Sequence, residues 1–291
     1  MFRSLLFVPG NNPSMLQNAD VFGADSVIFD LEDSVHVFEK DNARNLVRNY
    51  LDRYPALPTR ILIRINASDS PFFEADILAI VSDRIDSIVL PKADIHAVKL
   101  LSEKLRELEK SKKLKKKISI IPIIEKATSV LEAQEISAFE RVGGLLFGAE
   151  DYCSEMGIKR TDSGLELIYP RSHIAICCKA ANIDAFDTPF VDVTDEEGLE
   201  RDCITAFNLG FNGKAAIHPR QVQIINQQFS PSKEQIVWAL KVLEAKKEAD
   251  IKGLGVFSLD GKMIDKPIIE RALKIRAMAE RFILLEKTDE E

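Results

Sequence analysis

Short apolar runs of five to seven residues recur about every 30 residues, and each is bounded by polar or turn-forming positions. We predict that these runs are eight β-strands, at 4–9, 26–31, 60–65, 87–91, 118–124, 144–148, 184–188 and 215–219. Apolar residues at helical spacing fill the segments between them and predict crossover helices. Two examples are the set Ile95, Val98, Leu101, Leu105 and Leu108 and the set Ile168, His173, Ile176 and Ala180.

The alternation of these strands and helices indicates the fold class. Strands that are apolar on both faces and alternate with helices form a parallel sheet that is covered on its outside. Eight such units are enough to close an α/β (β/α)8 TIM barrel, which is the predicted fold. The alternative is an open, doubly wound sheet. It is less favoured because the first strand ends in VPGNNP, not in G-x-G-x-x-G, and because polar residues follow many strands.

The chain continues beyond the eighth strand with a predicted helix–hairpin–helix extension. Residues 231–250 and about 267–285 have helical patterns, and GVFSL and KMID flank the pair Asp260-Gly261 between them. An Asp-Gly pair between two apolar runs predicts a type I′ turn. We therefore expect a barrel domain over 1–228 and an extension over 229–291 that covers the barrel mouth or a neighbouring subunit.

Composition narrows the class of protein. A net charge of −7 and a pI near 5.4 disfavour binding to nucleic acid or to a membrane surface, because both require a positive field. The sequence has no signal-peptide pattern and no long apolar stretch, so a cytoplasmic small-molecule enzyme is expected. The four cysteines include no C-x-x-C pair and suit a reducing compartment; Cys153 is of interest because it lies close to Asp151.

A lysine-rich run, KSKKLKKK at 110–117, could bind phosphate. It ends the fourth predicted helix and enters the fifth strand, however, and this is the end of a barrel opposite the active site. Lysines at that position also complement the negative pole of the helix dipole. A solvated helix end is therefore the favoured interpretation.

The carboxyl ends of the predicted strands are rich in polar residues. In a (β/α)8 barrel such positions point into a shared mouth, where catalytic groups lie. A ring of structural salt bridges would explain any single one of them about as well. The residues are Asp30, Glu32, Asp33, Arg64, Asn66, Lys92, Glu125, Glu150, Asp151, Asp187, Lys214 and His218.

An excess of carboxylates without a histidine pair or cysteine cluster favours a hard, oxygen-preferring ion. Glu125 and Asp151 follow adjacent strands and could bind one Mg²⁺, and Arg64 suits a carboxylate or enolate oxygen. A Schiff-base aldolase built on Lys92 is the weaker alternative. A lone strand-end histidine such as His218 is more often a packing residue than a base.

Two small residues, Gly148 and Ala149, precede the acids at 150 and 151. Small side chains here would let backbone N–H groups approach an anionic substrate closely. Tight packing alone would also select small residues at these positions. Both explanations stay open at the level of sequence.

Motifs along nearly the whole chain resemble the citrate lyase β-chain family, within the HpcH/HpaI-type aldolases and the malyl-CoA and citramalyl-CoA lyases. The resemblance implies a Mg²⁺-dependent lyase, with Mn²⁺ as a substitute, that splits a 3-hydroxyacyl thioester into acetyl thioester and a 2-keto acid. For the β chain these are a citryl thioester and oxaloacetate. The motifs, in order, are RSLLFVPG, VIFDLEDSV, EKDNAR, RIN, LPK, IIE, GAEDY, AFDT, GKAAIHPRQ and LDGKMIDKPIIERA.

The resemblance also implies roles for individual residues. Glu125 and Asp151 would bind the metal, and Arg64 would hold the carbonyl and carboxylate oxygens. Backbone amides around Gly148, Ala149 and Glu150 would hold the keto acid. Asp265 would be an acid/base group, often placed in a neighbouring subunit. The remaining candidates are Asp30 and Glu32 for catalysis and Lys92 for substrate binding.

Three questions stay open after this comparison of motifs. The stretch GAEDYCSEMGIKRT and His218 depart from the expected β-chain pattern, so the carrier is either CoA or an acyl carrier protein. A citramalyl-CoA or malyl-CoA lyase is the alternative enzyme, and a structural subunit of a citrate lyase complex is the alternative of another class. The family implies a homotrimer or hexamer, with other citrate lyase subunits as further partners.

Overall fold

The structure is a computed structural model that describes residues 2–54, 59–251, 253, 255–282 and 284. The chain divides into two compact units, of which the barrel unit extends to Asn226 and the C-terminal unit begins at Gln227. Among the described residues, no helix is both long enough and apolar enough to cross a membrane.

The barrel unit contains eight parallel strands that pair in chain order, and the first pairs with the last to close the barrel. The predicted (β/α)8 fold is therefore confirmed. Seven strands match their predicted bounds to within about a residue, whereas the eighth, Gly213–Ala216, begins two residues and ends three residues before the predicted 215–219. The strands are β1 (Ser4–Pro9), β2 (Ser26–Asp30), β3 (Arg60–Arg64), β4 (Ser87–Leu90), β5 (Ser119–Ile124), β6 (Gly144–Phe147), β7 (Asp184–Asp187) and β8 (Gly213–Ala216).

Helices surround the barrel and connect its strands. Two short 3₁₀ turns, Val37–Glu39 and Leu165–Leu167, precede the second and eighth helices. The helices are α1 (Pro13–Gln17), α2 (Lys40–Arg53), α3 (Phe73–Ile80), α4 (Ile95–Ser111), α5 (Ala127–Leu131), α6 (Ala133–Ser137), α7 (Ala149–Met156), α8 (Ile168–Ala181), α9 (Glu196–Leu209) and α10 (Pro219–Gln228).

The interior of the barrel is filled by side chains that point inward from the strands, where every second residue faces inward. The buried ones are Leu5, Ile28, Leu62, Val89, Ile121, Ile123, Leu146, Phe186 and Ala215. Because side chains alternate between the two faces of a strand, the residue two positions further on also points inward, nearer the carboxyl end. This rule gives Phe7, Asp30, Arg64, Pro91, Glu125, Gly148, Thr188 and Ile217. The seven of these other than Pro91 are called the upper ring.

The two helices used above as examples differ in outcome. In α4 the predicted apolar face is confirmed, since Val98, Leu101 and Leu105 are buried. In α8 the predicted face is wrong, because Ile176 is 66% exposed while Arg171 is buried on the opposite side. An ion-pairing arginine belongs to the buried face of α8, so hydrophobicity alone selected the wrong side.

The lysine-rich run lies between α4 and β5, and its side chains have structural partners. Lys112 Nζ donates to the carbonyls of Leu78 and Val81 near the end of α3. Lys116 pairs with Asp86, and Lys117 pairs with Glu140. These contacts are consistent with a structural role for the run and not with phosphate binding. Several of the lysines are paired with protein groups, and the rest of the run is a solvated helix end.

The C-terminal unit has the predicted helix–hairpin–helix order. It consists of α11 (Lys233–Ile251), β9 (Phe257–Leu259), β10 (Lys262–Ile264) and α12 (Lys266–Arg281). Asp260 and Gly261 have φ values of 52° and 75°, and a type I′ turn requires positive φ at both positions. The end of the last predicted helix, residue 285, lies outside the described residues. Residues such as Ala239, Ile264 and Ala272 form this unit's own core.

Candidate active site

A cavity of about 300 Å³ opens at the carboxyl end of the barrel. All seven residues of the upper ring line it, together with residues of the loops that follow the strands. The further lining residues are Pro9, Asp33, Ser34, Ile123, Leu146, Phe147, Ala149, Glu150, Asp151 and Pro189. The floor is therefore apolar and the upper wall is charged, which is typical of a small-molecule site.

Arg64 and Asp30 form the most tightly held ion pair of the cavity. The guanidinium Nε and Nη2 of Arg64 each lie 2.7 Å from one carboxylate oxygen of Asp30. The Arg64 guanidinium also stacks over the Phe7 ring, with its Cζ 4.9 Å from the ring centroid. Burial alone would raise the pKa of Asp30, but Arg64, a hydrogen bond from Ser34 and the backbone N–H of Glu32 hold this pKa below its usual value. Asp30 is therefore an ionised anchor that fixes the plane of Arg64.

Glu32 and Lys92 extend this ion-pair group behind Arg64. Glu32 lies 3.1 Å from Arg64 Nη1 and 3.2 Å from Lys92 Nζ. Burial raises the pKa of Glu32 to about 7, with Asp33 adding to the shift and Arg64 and Lys92 opposing it. Glu32 can therefore exchange a proton near neutral pH.

The Lys92 side chain is held in its protonated, positively charged form. Desolvation alone would lower its pKa, but the surrounding charges of Glu32, Asp33 and Glu125 raise it above the usual value. A Schiff-base lysine needs a lowered pKa, so this environment disfavours the aldolase alternative.

Glu125, directly after β5, and Asp151, in the first turn of α7, line the same cavity. Glu125 is buried and accepts a hydrogen bond from the Lys92 backbone N–H, whereas Asp151 is exposed. Lys92 has a φ of 51°, a conformation that non-glycine residues seldom adopt, and this aims its N–H at Glu125. Burial raises the pKa of Glu125 to about 8, and the negative charges of Asp151 and Glu32 raise it further. The hydrogen bond from the Lys92 amide and the charge of Arg64 lower this pKa and only partly offset the rise. The two carboxylates thus repel each other across the cavity.

These two acids fit a divalent ion with oxygen ligands. Neither makes an ion pair within the described part of the chain, although both line one cavity. No group of three or more His, Cys, Asp or Glu side chains arranged to hold a metal occurs among the described residues. Mg²⁺ commonly uses one or two carboxylates and completes its shell with water and substrate oxygens, so the donor chemistry suits this ion.

The contacts of Gly148 agree with the packing explanation, and those of Ala149 are a structural hydrogen bond. A Cβ added at Gly148 would lie 2.7 Å from both Cβ and Oε2 of Glu125, so glycine makes room for the Glu125 side chain. The Gly148 N–H donates to the Ile124 carbonyl, and the Ala149 N–H donates to Thr188 Oγ1. In the described residues, the N–H groups of Glu150 and Asp151 in the first turn of α7 have no partner, and they remain available to an anionic ligand.

Three residues expected in the mouth lie elsewhere. Asn66 is buried, and its side-chain amide donates to Asp76 of α3 and to the Leu31 carbonyl. Asp187 and Lys214 are fully buried and point outward from β7 and β8, so their predicted placement in the mouth is wrong. They join Arg171 of α8 and Asp202 of α9 in what we call the outer cluster. Strand alternation explains the difference for Asp187 and Lys214, since each lies one position away from the inward-facing set.

Three further candidates also have structural contacts. His218 precedes α10, and its Nδ1 accepts a hydrogen bond from the Arg220 N–H, in keeping with the packing interpretation. Cys153 is buried, and burial raises the pKa of its thiol, so it is a poor nucleophile. Asp265 belongs to the C-terminal unit and caps α12 by accepting from the Ile268 N–H at 3.4 Å.

Sequence reasoning missed several lining residues, namely Phe7, Ser34, Thr188 and Ile217. Phe7, Thr188 and Ile217 belong to the upper ring, so counting two residues on from each inward-facing apolar position would have found them. Ser34 lies in the loop after β2, and no periodic signal identifies it.

Fold and cavity together define the class: a (β/α)8-barrel enzyme whose mouth presents an arginine and two facing carboxylates. The family model described as HpcH/HpaI aldolase/citrate lyase matches residues 3–219. The chain therefore belongs to the HpcH/HpaI aldolase/citrate lyase family, and the resemblance inferred from its motifs is confirmed.

Individual relatives agree with this assignment. The chain is 40% identical to the citrate lyase subunit beta of Leuconostoc mesenteroides subsp. cremoris, over 95% of this chain and 93% of that protein. It is 30% identical to the human mitochondrial citramalyl-CoA lyase, over 93% and 83% of the two chains. The CitE protein of Mycobacterium tuberculosis, solved with magnesium, acetoacetate and coenzyme A, superposes with a TM-score of 0.77 at 29% identity, over 95% and 97%.

Proposed function

We propose that this protein is a Mg²⁺-dependent carbon–carbon lyase that cleaves a citryl thioester into acetyl thioester and oxaloacetate. The observation that carries the proposal is the pair Glu125 and Asp151 in one cavity with Arg64. Its likeness to citrate lyase subunit beta over nearly the whole chain supports the substrate. The magnesium in the related CitE structure supports the metal.

Glu125 and Asp151 would hold the ion, which would supply Lewis-acid polarisation of the substrate oxygens. Asp30 and Phe7 fix the orientation of the Arg64 guanidinium, which would donate to the oxygen on which negative charge develops. A donor fixed in this way typically lowers the activation free energy by about 3–4 kcal/mol. The free N–H groups of Glu150 and Asp151 would bind the keto-acid carboxylate.

Proton transfer needs a group that titrates near neutrality, and Glu32 has that property at 3.1 Å from Arg64. Glu32 is not among the described residues that line the cavity. It lies next to Arg64, so it would exchange its proton with the part of the cavity beside Arg64. Asp265 is the other candidate, as an acid that protonates the acetyl thioester carbon. It would leave its cap on α12 to do so, and its 3.4 Å hydrogen bond is long and therefore weak.

The reaction is tested with the purified chain, Mg²⁺ and three thioesters: citryl on an acyl carrier protein, citryl-CoA and citramalyl-CoA. Malate dehydrogenase detects oxaloacetate, and lactate dehydrogenase detects pyruvate. We expect oxaloacetate, and we expect chelation of Mg²⁺ to abolish its release. Pyruvate from citramalyl-CoA would instead support the alternative lyase, which the 30% identity to human citramalyl-CoA lyase favours.

The carrier and the assembly are further parts of this proposal. The coenzyme A in the related CitE structure supports a free CoA thioester as a substrate, whereas citrate lyase subunits suggest a carrier protein. Gel filtration of the chain tests for a homotrimer or hexamer. An inactive isolated chain that gains activity only with other citrate lyase subunits would indicate a mainly structural role.

A subunit-mixing experiment tests where Asp265 acts. Asp151→Ala and Asp265→Ala should each be inactive but folded, because Asp151 is exposed and Asp265 makes only one long cap. Co-expressed in one oligomer, the two variants should regain activity if Asp265 reaches a neighbouring subunit. No recovery would mean that Asp265 and Asp151 must belong to the same chain.

A further inference from the structure

We propose that Arg160 is a positioning residue that holds the first turn of α7, and with it the carboxylate of Asp151, in place for the metal. This inference rests on the proposed function. Arg160 lies in the loop after α7, which ends at Met156. It does not line the cavity, among the described residues, and the mechanism above does not use it.

The contacts of Arg160 join three segments: the first turn of α7, the loop after β7, and α9. Nη1 donates to Glu150 Oε1 at 3.0 Å and to the Pro189 carbonyl at 2.8 Å. Nη2 lies 3.4 Å from Asp202 on α9. The Arg160 side chain is only 13% exposed, so its contacts with Pro189 and Asp202 are partly shielded from water, whereas Glu150 is 57% exposed. A planar guanidinium can hold three acceptors in a fixed arrangement, which a lysine cannot do.

These contacts fix the part of α7 that carries Asp151. Asp151 is exposed and makes no ion pair of its own within the described residues, so its own side chain does little to set its position. Its neighbour Glu150 is tied by Arg160 to the loop after β7 and to Asp202. The hydrogen bond from the Ala149 N–H to Thr188 is a second tie between the same two regions.

Asp202 makes the anchor rigid. It also accepts from Arg171 at 2.7 Å and from Lys214 at 2.6 Å, inside the buried outer cluster. Arg160 therefore joins the cavity wall to the outer cluster. Groups that hydrogen-bond a metal ligand directly typically change metal affinity by about 10–100-fold when they are removed. Arg160 acts through Glu150, the neighbour of Asp151, so an effect at the lower end of this range is expected.

Charge and geometry predict opposite outcomes for the loss of Arg160. Removing a positive charge beside Glu150 makes the cavity more negative, so electrostatics alone would strengthen binding of a divalent cation. Loss of the tie would instead let the α7 turn move and would weaken binding. The direction of the change in affinity therefore distinguishes a positioning role from a purely electrostatic one.

The test measures Mn²⁺ binding by electron paramagnetic resonance of free Mn²⁺, which does not depend on activity. We expect Arg160→Ala to weaken binding about tenfold, and Arg160→Lys to fall between this variant and the wild type. Lys159→Ala, an exposed neighbour in the same loop, should bind as the wild type does. Circular dichroism melting of each variant shows whether it is folded at the temperature of the measurement.

Unchanged or tighter Mn²⁺ binding by folded Arg160→Ala would overturn the proposal while leaving the lyase function intact. If Arg160→Ala does not fold, Arg160→Lys decides, because it keeps the charge and loses the fork. Binding by folded Arg160→Lys equal to that of the wild type would then refute the role. A wild-type protein that binds no Mn²⁺ would reject the metal site itself, and the role of Arg160 with it.

Discussion

Two groups of charged residues lie on opposite faces of the barrel strands, and strand alternation gives them opposite characters. The outer cluster consists of Arg171, Asp187, Asp202 and Lys214, and each acid in it contacts two or more bases. The mouth cluster, on the inner side, consists of Asp30, Glu32, Arg64, Lys92, Glu125 and Asp151. In the mouth cluster Glu125 and Asp151 are left without an ion-pair partner among the described residues.

The comparison separates groups that stabilise the fold from groups that are available for chemistry. Buried charges that are fully paired are costly to break and have no free capacity for a ligand. Two carboxylates that face each other without a cation raise each other's energy, and a divalent ion relieves this repulsion. Substitutions in the two clusters should therefore fail in different ways.

The largest effect is expected for Glu125→Gln in the mouth cluster. The amide oxygen can still accept from the Lys92 N–H, so the fold should persist while a charged ligand is lost. Turnover should fall by about a thousandfold or more, since the ion provides several kcal/mol of charge stabilisation. Coupled assays of oxaloacetate release and Mn²⁺ binding measure both losses. Activity within tenfold of the wild type would remove Glu125 from the metal site.

The matching change in the outer cluster is Asp187→Asn. It leaves Lys214 and Arg171, both buried, short of a counter-charge, and removing one partner from a buried ion group costs about 3–5 kcal/mol. We expect a much lower unfolding free energy in urea, with Mn²⁺ affinity retained by the molecules that remain folded. As a control, Glu197→Gln removes an exposed partner of Arg201 on α9 and should cost less than about 0.5 kcal/mol. Equal stability of the two variants would contradict this division between the clusters.

Much of this arrangement follows from the sequence, and the limits have physical causes. The eight strands were predictable because each is a short apolar run between polar boundaries. Glu125, Asp151, Arg64 and Asp30 were found as strand-end residues, although sequence alone does not show which strand face each one occupies. Asp187 and Lys214 were misplaced for that reason, and Thr188, one residue after Asp187, was missed.

Other features depend on contacts between distant segments. The left-handed backbone of Lys92 is stabilised by Glu125, which lies 33 residues away, so no local pattern predicts it. The buried face of α8 was misjudged because Arg171 is buried with partners from β7 and α9. Sequence left two explanations open for Gly148, and only the position of Glu125 favours the steric one.

Gly148→Ala tests that steric role and should have an intermediate effect. The new methyl group would lie 2.7 Å from two atoms of Glu125, so the carboxylate must move or the strand end must shift. We expect Mn²⁺ affinity to fall by about 10–100-fold, as when the support of a metal ligand is lost. Gly255→Ala is the matched control, because nothing lies within 4 Å of the added Cβ there. Unchanged affinity in Gly148→Ala would show that the site tolerates the extra methyl group.

The smallest expected effect concerns pH, and it has opposite signs in the two clusters. Burial alone would raise the pKa of Asp202, but Lys214 and Arg171 lower it to about 2. Because that pKa lies below the unfolded value of 3.8, Asp202 stabilises the fold above pH 3.8, and this stabilisation is lost as the pH falls towards 2. Glu125 behaves in reverse, because its pKa is raised from 4.5 to about 8 and its favourable neutral form is lost as the pH rises through that range.

Metal-free wild-type protein should therefore lose unfolding free energy between about pH 5 and pH 8, and Glu125→Gln should lose less over the same range. Urea unfolding in the presence of a chelator, at steps across this range, measures the difference. Saturating Mg²⁺ should reverse the loss in the wild type, because the ion binds the ionised carboxylates. Parallel pH profiles for the two metal-free proteins would mean that the Glu125 carboxyl group is not held neutral, and that the mouth cluster is no less balanced in charge than the outer one.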